Sequence, residues 1–228
     1  MLSDLIQLLK EKEAFKETYL RRLAITNFGA GHETTTSALT ATIAMITSHP
    51  ESKRQVFEEV GHAMQPGSLD TSASLPYTHA CIKEAQRLHP VIGMSLPRRV
   101  PSGGLHVHGH HFPAGTTVGC SPVSLHRNPD IFGPDAESFN PDRWLDATLD
   151  ARAMKRYNLT WGGGARTCPG RHLAEMILSK VVPTLMREFD IEVDIPPEED
   201  MPVYFMAMLS GVKARFLPRD NRTNAEGS

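Results

Sequence analysis

Cysteine is scarce in this chain, with three among 228 residues. An odd, low count cannot staple a small fold with paired disulfides. It fits a reducing compartment, or a metal or catalytic role for one thiol. Long apolar runs are absent too, and none would cross a bilayer. Charge of one sign is missing: 24 Lys and Arg face 26 Asp and Glu, a formal net charge of -2. With no long basic run, the composition argues against a nucleic-acid partner. There is no internal repeat and no low-complexity tract, which excludes solenoids and arrays. The opening residues, MLSDLIQLLKEKEAFKE, are charged and amphipathic, so they read as neither a signal peptide nor a membrane anchor. What remains is 40% hydrophobic residues, enough for the core of one large domain or two small ones.

The first half reads as helix. Leu2 to Lys10 has helical periodicity. A long helix is expected from about Thr18 to Thr47, with Leu39, Ile43 and Ile46 on one face. Pro50 ends it and opens PESKRQVFEEVGHAM as a further helix. QPGSLDTSASLP reads as loop, and Tyr77 to His89 as another helix. The character changes after Pro90. LHVHGHHFPAGTTVG reads as short strands with tight turns. HRNPDIFGPDAESFNPDRWLD reads as a long irregular stretch, which in a compact protein is functional or tightly packed. A helix follows from about Gly170 to Glu188, then short strands between Ile191 and Leu217 around a turn at Ser210-Gly211. The tail NRTNAEGS is expected to be disordered.

The stretch WGGGARTCPGRHLAEMIL, Trp161 to Leu178, carries the chemistry. Cys168 sits where a turn meets a helix, with Pro169 suited to the first helical position. Backbone N–H groups and the helix dipole there favour a thiolate. Gly162, Gly163 and Gly164 let the backbone approach a flat partner closely, and Arg166 adds a fixed positive charge. Together these point to haem (heme) iron bound through cysteine. Three readings compete. A phosphate-cradling loop lacks its Lys-Ser/Thr ending. A nucleophilic cysteine needs a base, and His172 would point elsewhere on its helix. A buried structural cysteine needs no partner at all.

Trp161, Gly164, Arg166, Cys168 and Gly170 reproduce a spacing, aromatic-x-x-Gly-x-Arg-x-Cys-x-Gly, that resembles the haem-binding loop of the cytochrome P450 family. Trp161 departs from the usual Phe. Three further stretches extend the resemblance. In KEAQRLHP, Glu84 and Arg87 share a helix face. Read alone they are an exposed ion pair of little value. The resemblance implies a buried structural triad with Arg143 of FNPDRW, which holds the cysteine loop in place. In FGAGHETTTSA, Gly31 and Thr34, Thr35 and Thr36 are poor helix formers in mid-helix, which marks a site or a close helix contact. The resemblance implies an oxygen-activation motif, with Ala30 and Gly31 leaving a groove over the iron and Glu33 and Thr34 relaying protons. In SLPRRVPSGG, Arg98 matches the arginine that pairs with a haem propionate. Ile92, Gly93, Met94, Ser95 and Leu96 would then lie near substrate.

The resemblance is greatest to fungal members. It implies a mainly helical fold with small β-sheets: the C-terminal portion of the cytochrome P450 fold, its N-terminal half absent, over residues 1–217, with 218–228 as tail. It implies a haem-thiolate monooxygenase, an iron-dependent oxidoreductase using heme (iron protoporphyrin IX) with Cys168 as axial ligand. Its partners would be dioxygen, a small apolar organic substrate and an electron-donating, NADPH-dependent reductase. Membrane association would come only through the missing segment, with the full-length relative at the cytoplasmic face of the endoplasmic reticulum. Two alternatives stand beside this reading. One is a non-catalytic remnant that binds haem weakly or serves as an interaction module. The other is haem chemistry without oxygen activation, such as peroxide isomerisation, against which Glu33 and Thr34 speak. His106, His108, His110 and His111 lack a completing carboxylate or cysteine, so they read as a partly exposed hairpin rather than a zinc site. Cys81 and Cys120 read as small buried apolar groups. Asn158-Leu-Thr and Asn221-Arg-Thr read as idle glycosylation acceptors.

Overall fold

In the computed structural model, residues 7, 11, 16–63, 74–196, 205–207 and 209–219 are described. The chain divides after Thr36 into two units, 1–36 and 37–228. Most of the Leu2–Lys10 helix, most of the 65–76 loop and the tail from Asp220, with Asn221, lie outside the described residues.

Helix α1 (Glu17–Ser48) crosses the division. Glu17 opens it and pairs with Arg21 one turn on. The threonines survive in mid-helix because their hydroxyls bond back one turn: Thr36 to the His32 carbonyl at 2.9 Å, Thr42 to Ala38 at 2.7 Å and Thr47 to Ile43 at 2.7 Å. The second unit buries the far end of α1 through Ala38, Ala41, Ala44 and Ile46. Helix α2 (Pro50–Ala63) starts on proline and buries Val56 and Val60, which lie four apart on one face. Helix α3 (Pro76–Leu88) also starts on proline, yet Leu75 offers it no side-chain cap. Glu59 of α2 supplies one. Its carboxylate accepts from the Tyr77 and Thr78 amides at 2.8 and 2.7 Å and from the Thr78 hydroxyl at 2.6 Å.

Three two-stranded antiparallel sheets are present among the described residues. Strand β1 (Leu96–Arg99) pairs with β4 (Thr117–Cys120), and between them β2 (Leu105–Val107) pairs with β3 (His110–Phe112). His108 and Gly109 make the β2–β3 turn at φ 47° and 77°, the two left-handed residues that a tight hairpin requires. The stretch read as irregular contains short capped helices. Ser121, Asn128, Asn140 and Asp150 each accept a backbone N–H at the start of α4 (Pro122–Leu125), α5 (Pro129–Phe132), a 3-10 turn (Pro141–Trp144) and α6 (Ala151–Tyr157).

Helix α7 (Arg171–Glu188) and the sheet of β5 (Phe189–Asp194) with β6 (Lys213–Pro218) complete the second unit. The main core joins Ile46 of α1, Val56 and Val60 of α2, Cys81 of α3, Leu178, Val182 and Met186 of α7, and Ile191 of β5. A smaller cluster of Phe132, Ala136 and Met154 sits under the short helices. The fold is mainly helical with small antiparallel sheets.

Candidate active site

The cysteine loop is built on two left-handed glycines, Gly162 at φ 72° and Gly164 at φ 59°. A Cβ on Gly162 would meet the Arg166 carbonyl at 3.2 Å, so sterics and backbone both demand glycine. The Cys168 amide donates to the Trp161 carbonyl at 2.9 Å and closes the loop. Cys168 itself is exposed, as are Gly164, Arg166 and Gly170, while Trp161 is half-buried. The expected start of the helix at Pro169 is corrected. The chain turns at 168–170, with the Arg171 amide 3.4 Å from the Cys168 carbonyl, and α7 begins at Arg171 behind Gly170. His172 is exposed and faces Glu175 at 4.0 Å.

Space and charge surround the sulfur. A Cβ on Gly170 would lie 3.9 Å from Cys168 Sγ, and one on Gly164 would meet nothing within 4 Å. Arg166 has no ion-pair partner among the described residues. Arg98, exposed on β1, donates to the Gly163 carbonyl at 3.1 Å and to the Pro97 carbonyl at 2.8 Å. Between β1, β4 and the loop lies an apolar groove of about 520 Å³, lined among others by Leu96, Val118, Leu159 and Gly163. An exposed soft sulfur, glycines with open space and two nearby guanidinium groups fit a flat, acid-bearing group with a metal at its centre.

Behind the loop lies a buried ionic network. Glu84, Arg87 and Arg143 come together with their side chains 0–1% exposed. Glu84 accepts from Arg87 Nε and Nη2 at 2.9 and 2.8 Å, Arg143 Nε at 2.8 Å, Trp144 Nε1 at 2.8 Å and the Asn140 amide at 3.0 Å. Arg87 also donates to the carbonyls of His126 and Ala136, both at 2.6 Å, and of Ser138 at 3.1 Å. Arg143 donates to the Phe132 carbonyl and to Asp135. Burial works against the charge of Asp135, but hydrogen bonds from Asn140 and Arg143 outweigh it and hold its carboxyl below the ordinary value. Each buried charge thus has partners, the condition under which burial is tolerable. Trp144, Asp135 and His126 escaped the sequence reading. Trp144 adjoins Arg143 in the chain, which is the one local signal.

The remaining predicted residues are spread along the chain. Ala30, Gly31, Glu33 and Thr34 lie in the first unit, Cys168 in the second. Glu33 is exposed and Thr34 half-buried. The Thr34 hydroxyl donates to the Ala30 carbonyl at 2.5 Å, and a Cβ on Gly31 would meet nothing within 4 Å. The segment after α3 is tied to residues 205–207. The Gly93 amide donates to the Phe205 carbonyl at 3.1 Å, and the Ala207 amide to the Val91 carbonyl at 2.9 Å. Met94 and Ser95 are exposed. Cys81 is buried, but Cys120 is exposed. That corrects its reading as a buried group, because strand β4 lines the open groove. The rings of His106 and His111 face each other across β2 and β3 at 4.5 Å. Among the described residues no group of three or more His, Cys, Asp or Glu could hold a metal, and no helix is long and apolar enough to cross a membrane.

The family profile described as Cytochrome P450 matches residues 1–214. The chain belongs to the cytochrome P450 family. The relatives are fungal. A cytochrome P450 monooxygenase of Sordaria araneosa, sdnT, is 58% identical over 96% of this chain and 43% of its own length. A cytochrome P450 monooxygenase of Aspergillus terreus is 42% identical over 74% of this chain and 36% of its own length. A pisatin demethylase of Fusarium vanettenii is 39% identical over 74% of this chain and 33% of its own length. The chain therefore spans between a third and under half of these P450 relatives. Members of the family generally use haem held by a cysteine thiolate, with dioxygen, a redox-partner reductase and organic substrates.

Proposed function

We propose that this chain is the haem-thiolate portion of a P450 monooxygenase acting on a small apolar organic molecule. The observation that carries the reading is the exposed Cys168, held in a closed glycine loop with Arg166, which has no ion-pair partner among the described residues, and with the Arg98–Gly163 bond. Cys168 would hold the haem iron through its thiolate. Arg98 and Arg166 would offer positive charge to the acidic groups of the haem. Gly162, Gly164 and Gly170 would leave room for the group, and Trp161 would pack beside the sulfur. When bound, haem supplies insertion of one oxygen atom of dioxygen into the substrate, the other leaving as water with electrons from an NADPH-dependent reductase. Glu33 and Thr34 deliver protons to that chemistry. The Thr34 hydroxyl donates its hydrogen bond to the Ala30 carbonyl, one turn back on the same helix. Glu84, Arg87 and Arg143 hold the irregular stretch against α3. In the whole protein the work is done at the endoplasmic reticulum surface.

The test is the absorption spectrum of the chain with haem, reduced under carbon monoxide, beside Cys168→Ala. A strongly red-shifted Soret band that vanishes in the variant supports the reading. Haem that fails to bind, or binds with the same spectrum in both proteins, refutes it. The remnant reading predicts the first of those failures.

A further inference from the structure

His126 is fully buried between α4 and α5 and both of its ring nitrogens are engaged. Nε2 lies 2.7 Å from the Leu159 amide, which can only donate, so Nε2 accepts and the ring proton sits on Nδ1. Nδ1 lies 3.0 Å from the Arg87 carbonyl and donates to it. Arg87 returns the bond, its Nη1 donating to the His126 carbonyl at 2.6 Å. The His126 and Phe132 rings are T-shaped, with centroids 6.0 Å apart. Leu159 stands two residues before Trp161, whose carbonyl receives the Cys168 amide, and the Leu159 carbonyl receives the Gly162 amide at 2.8 Å.

We propose that His126 is a positioning residue for the cysteine loop: its neutral imidazole, donating to Arg87 and accepting from Leu159, fixes the root of that loop to helix α3. Among the described residues, the ring is the one side chain that bonds both the triad helix and the loop's first turn. The arrangement admits a single tautomer. A protonated ring would present a second donor to the Leu159 amide and the bond would break. The surroundings enforce neutrality: burial first, then the charges of Arg87 and Arg127, outweigh the Arg87 carbonyl and bring the His126 pKa down to about 4.

The proposal rests on the reading of Cys168 as haem ligand, and its test separates the two. His126→Gln, His126→Asn and His126→Phe are made in the full 228-residue chain. Gln can place its oxygen where Nε2 accepts from Leu159. Asn is too short to reach, and Phe keeps the ring's volume without either bond. The first readout is hydrogen exchange at the Leu159 amide in haem-free protein. We expect Gln to stay near wild type, and Asn and Phe to exchange roughly 10-fold or more faster, the loss of one buried bond. The second readout is the Soret band of the haem-loaded, reduced, carbon monoxide-bound chain. Its red-shifted fraction should fall least in Gln, which keeps the Leu159 bond but not the one to Arg87, and further in Asn and Phe. Equal exchange in all variants, a Gln protein no better than Phe, or altered exchange with an unchanged Soret band would each overturn the proposal. An unfolded Phe protein leaves the Gln–Asn comparison intact. A Cys168→Ala protein with the wild-type spectrum would instead sink the haem reading, while Leu159 exchange still reported on His126.

Discussion

Glu84→Gln is the most informative single change, because it preserves volume and shape and removes only the charge and one acceptor. Oε1 of Glu84 receives Arg87 Nη2, Arg143 Nε and the Asn140 amide, and Oε2 receives Arg87 Nε and Trp144 Nε1. In a glutamine the less damaging orientation turns the NH2 toward Arg87 Nε and the indole, so two donors face a donor. Each charge-assisted bond lost is worth about 1.5–3 kcal/mol. Both guanidinium groups also keep their burial without a full counter-charge, and breaking a buried pair costs about 3–5 kcal/mol. About 4 kcal/mol is therefore expected, a large part of the roughly 5–15 kcal/mol that holds a typical domain folded. With a urea slope of about 2 kcal/mol/M, the unfolding midpoint should fall by ~2 M. The assay is urea unfolding followed by tryptophan fluorescence, since Trp144 reports on the network and Trp161 on the loop. Glu58→Gln is the control, because its ion pair with Arg54 is exposed and its loss should leave the midpoint unmoved. A Glu84→Gln midpoint equal to that of the control would refute the reasoning.

Three other outcomes follow from the geometry. Because His126 is neutral in the folded chain down to about pH 4, and ordinarily titrates near 6.5, unfolding takes up a proton between those values. The stability due to the neutral ring is complete above about pH 6.5 and falls by about 3 kcal/mol as pH drops to 4; urea midpoints from pH 7 to 4.5 should show that slope, and the His126→Gln profile should lack it. Thiol labelling of native protein should modify Cys120 and Cys168, both exposed, and spare Cys81, whose buried thiol is pushed far up; labelling of Cys81 in folded protein would contradict the core. Gly104→Ala should lower the melting temperature more than Gly103→Ala, at about 1–3 kcal/mol. Both have positive φ, but only at Gly104 would the Cβ strike a neighbour, His111 Nε2 at 2.5 Å.

What could be read from the sequence was periodic or close in the chain. The helix expected from about Thr18 to Thr47 is Glu17–Ser48, and the one expected to end at Glu188 does so, though it starts at Arg171 rather than at Pro169. The loop glycines announced a turn at Cys168. The i, i+3 spacing of Glu84 and Arg87 placed them on one face, but KEAQRLHP is polar, so nothing local shows that its face is buried. Their other partners lie 59 and 60 residues away at Arg143 and Trp144, 49 away at Ala136 and 39 away at His126. Helices as short as α4 and α5 carry no periodicity. Their signature is a capping residue followed by proline, as in Ser121-Pro122 and Asn128-Pro129. His126 was invisible for another reason: both bonds of its ring go to backbone atoms, and these leave no trace in residue type.

The cap on α3 has a consequence for how the second unit comes together. A helix of 13 residues is a poor nucleus on its own, and this one begins on a carboxylate borrowed from α2. Its first turn therefore gains its cap only once the two helices have met, so α2 and α3 should open and close as one cooperative unit. Glu84 and Arg87 ride on that unit, and through His126 so does the approach to Cys168. The steadiness of the sulfur is thus tied to a pairing event at Glu59, on another helix and far from the loop in sequence.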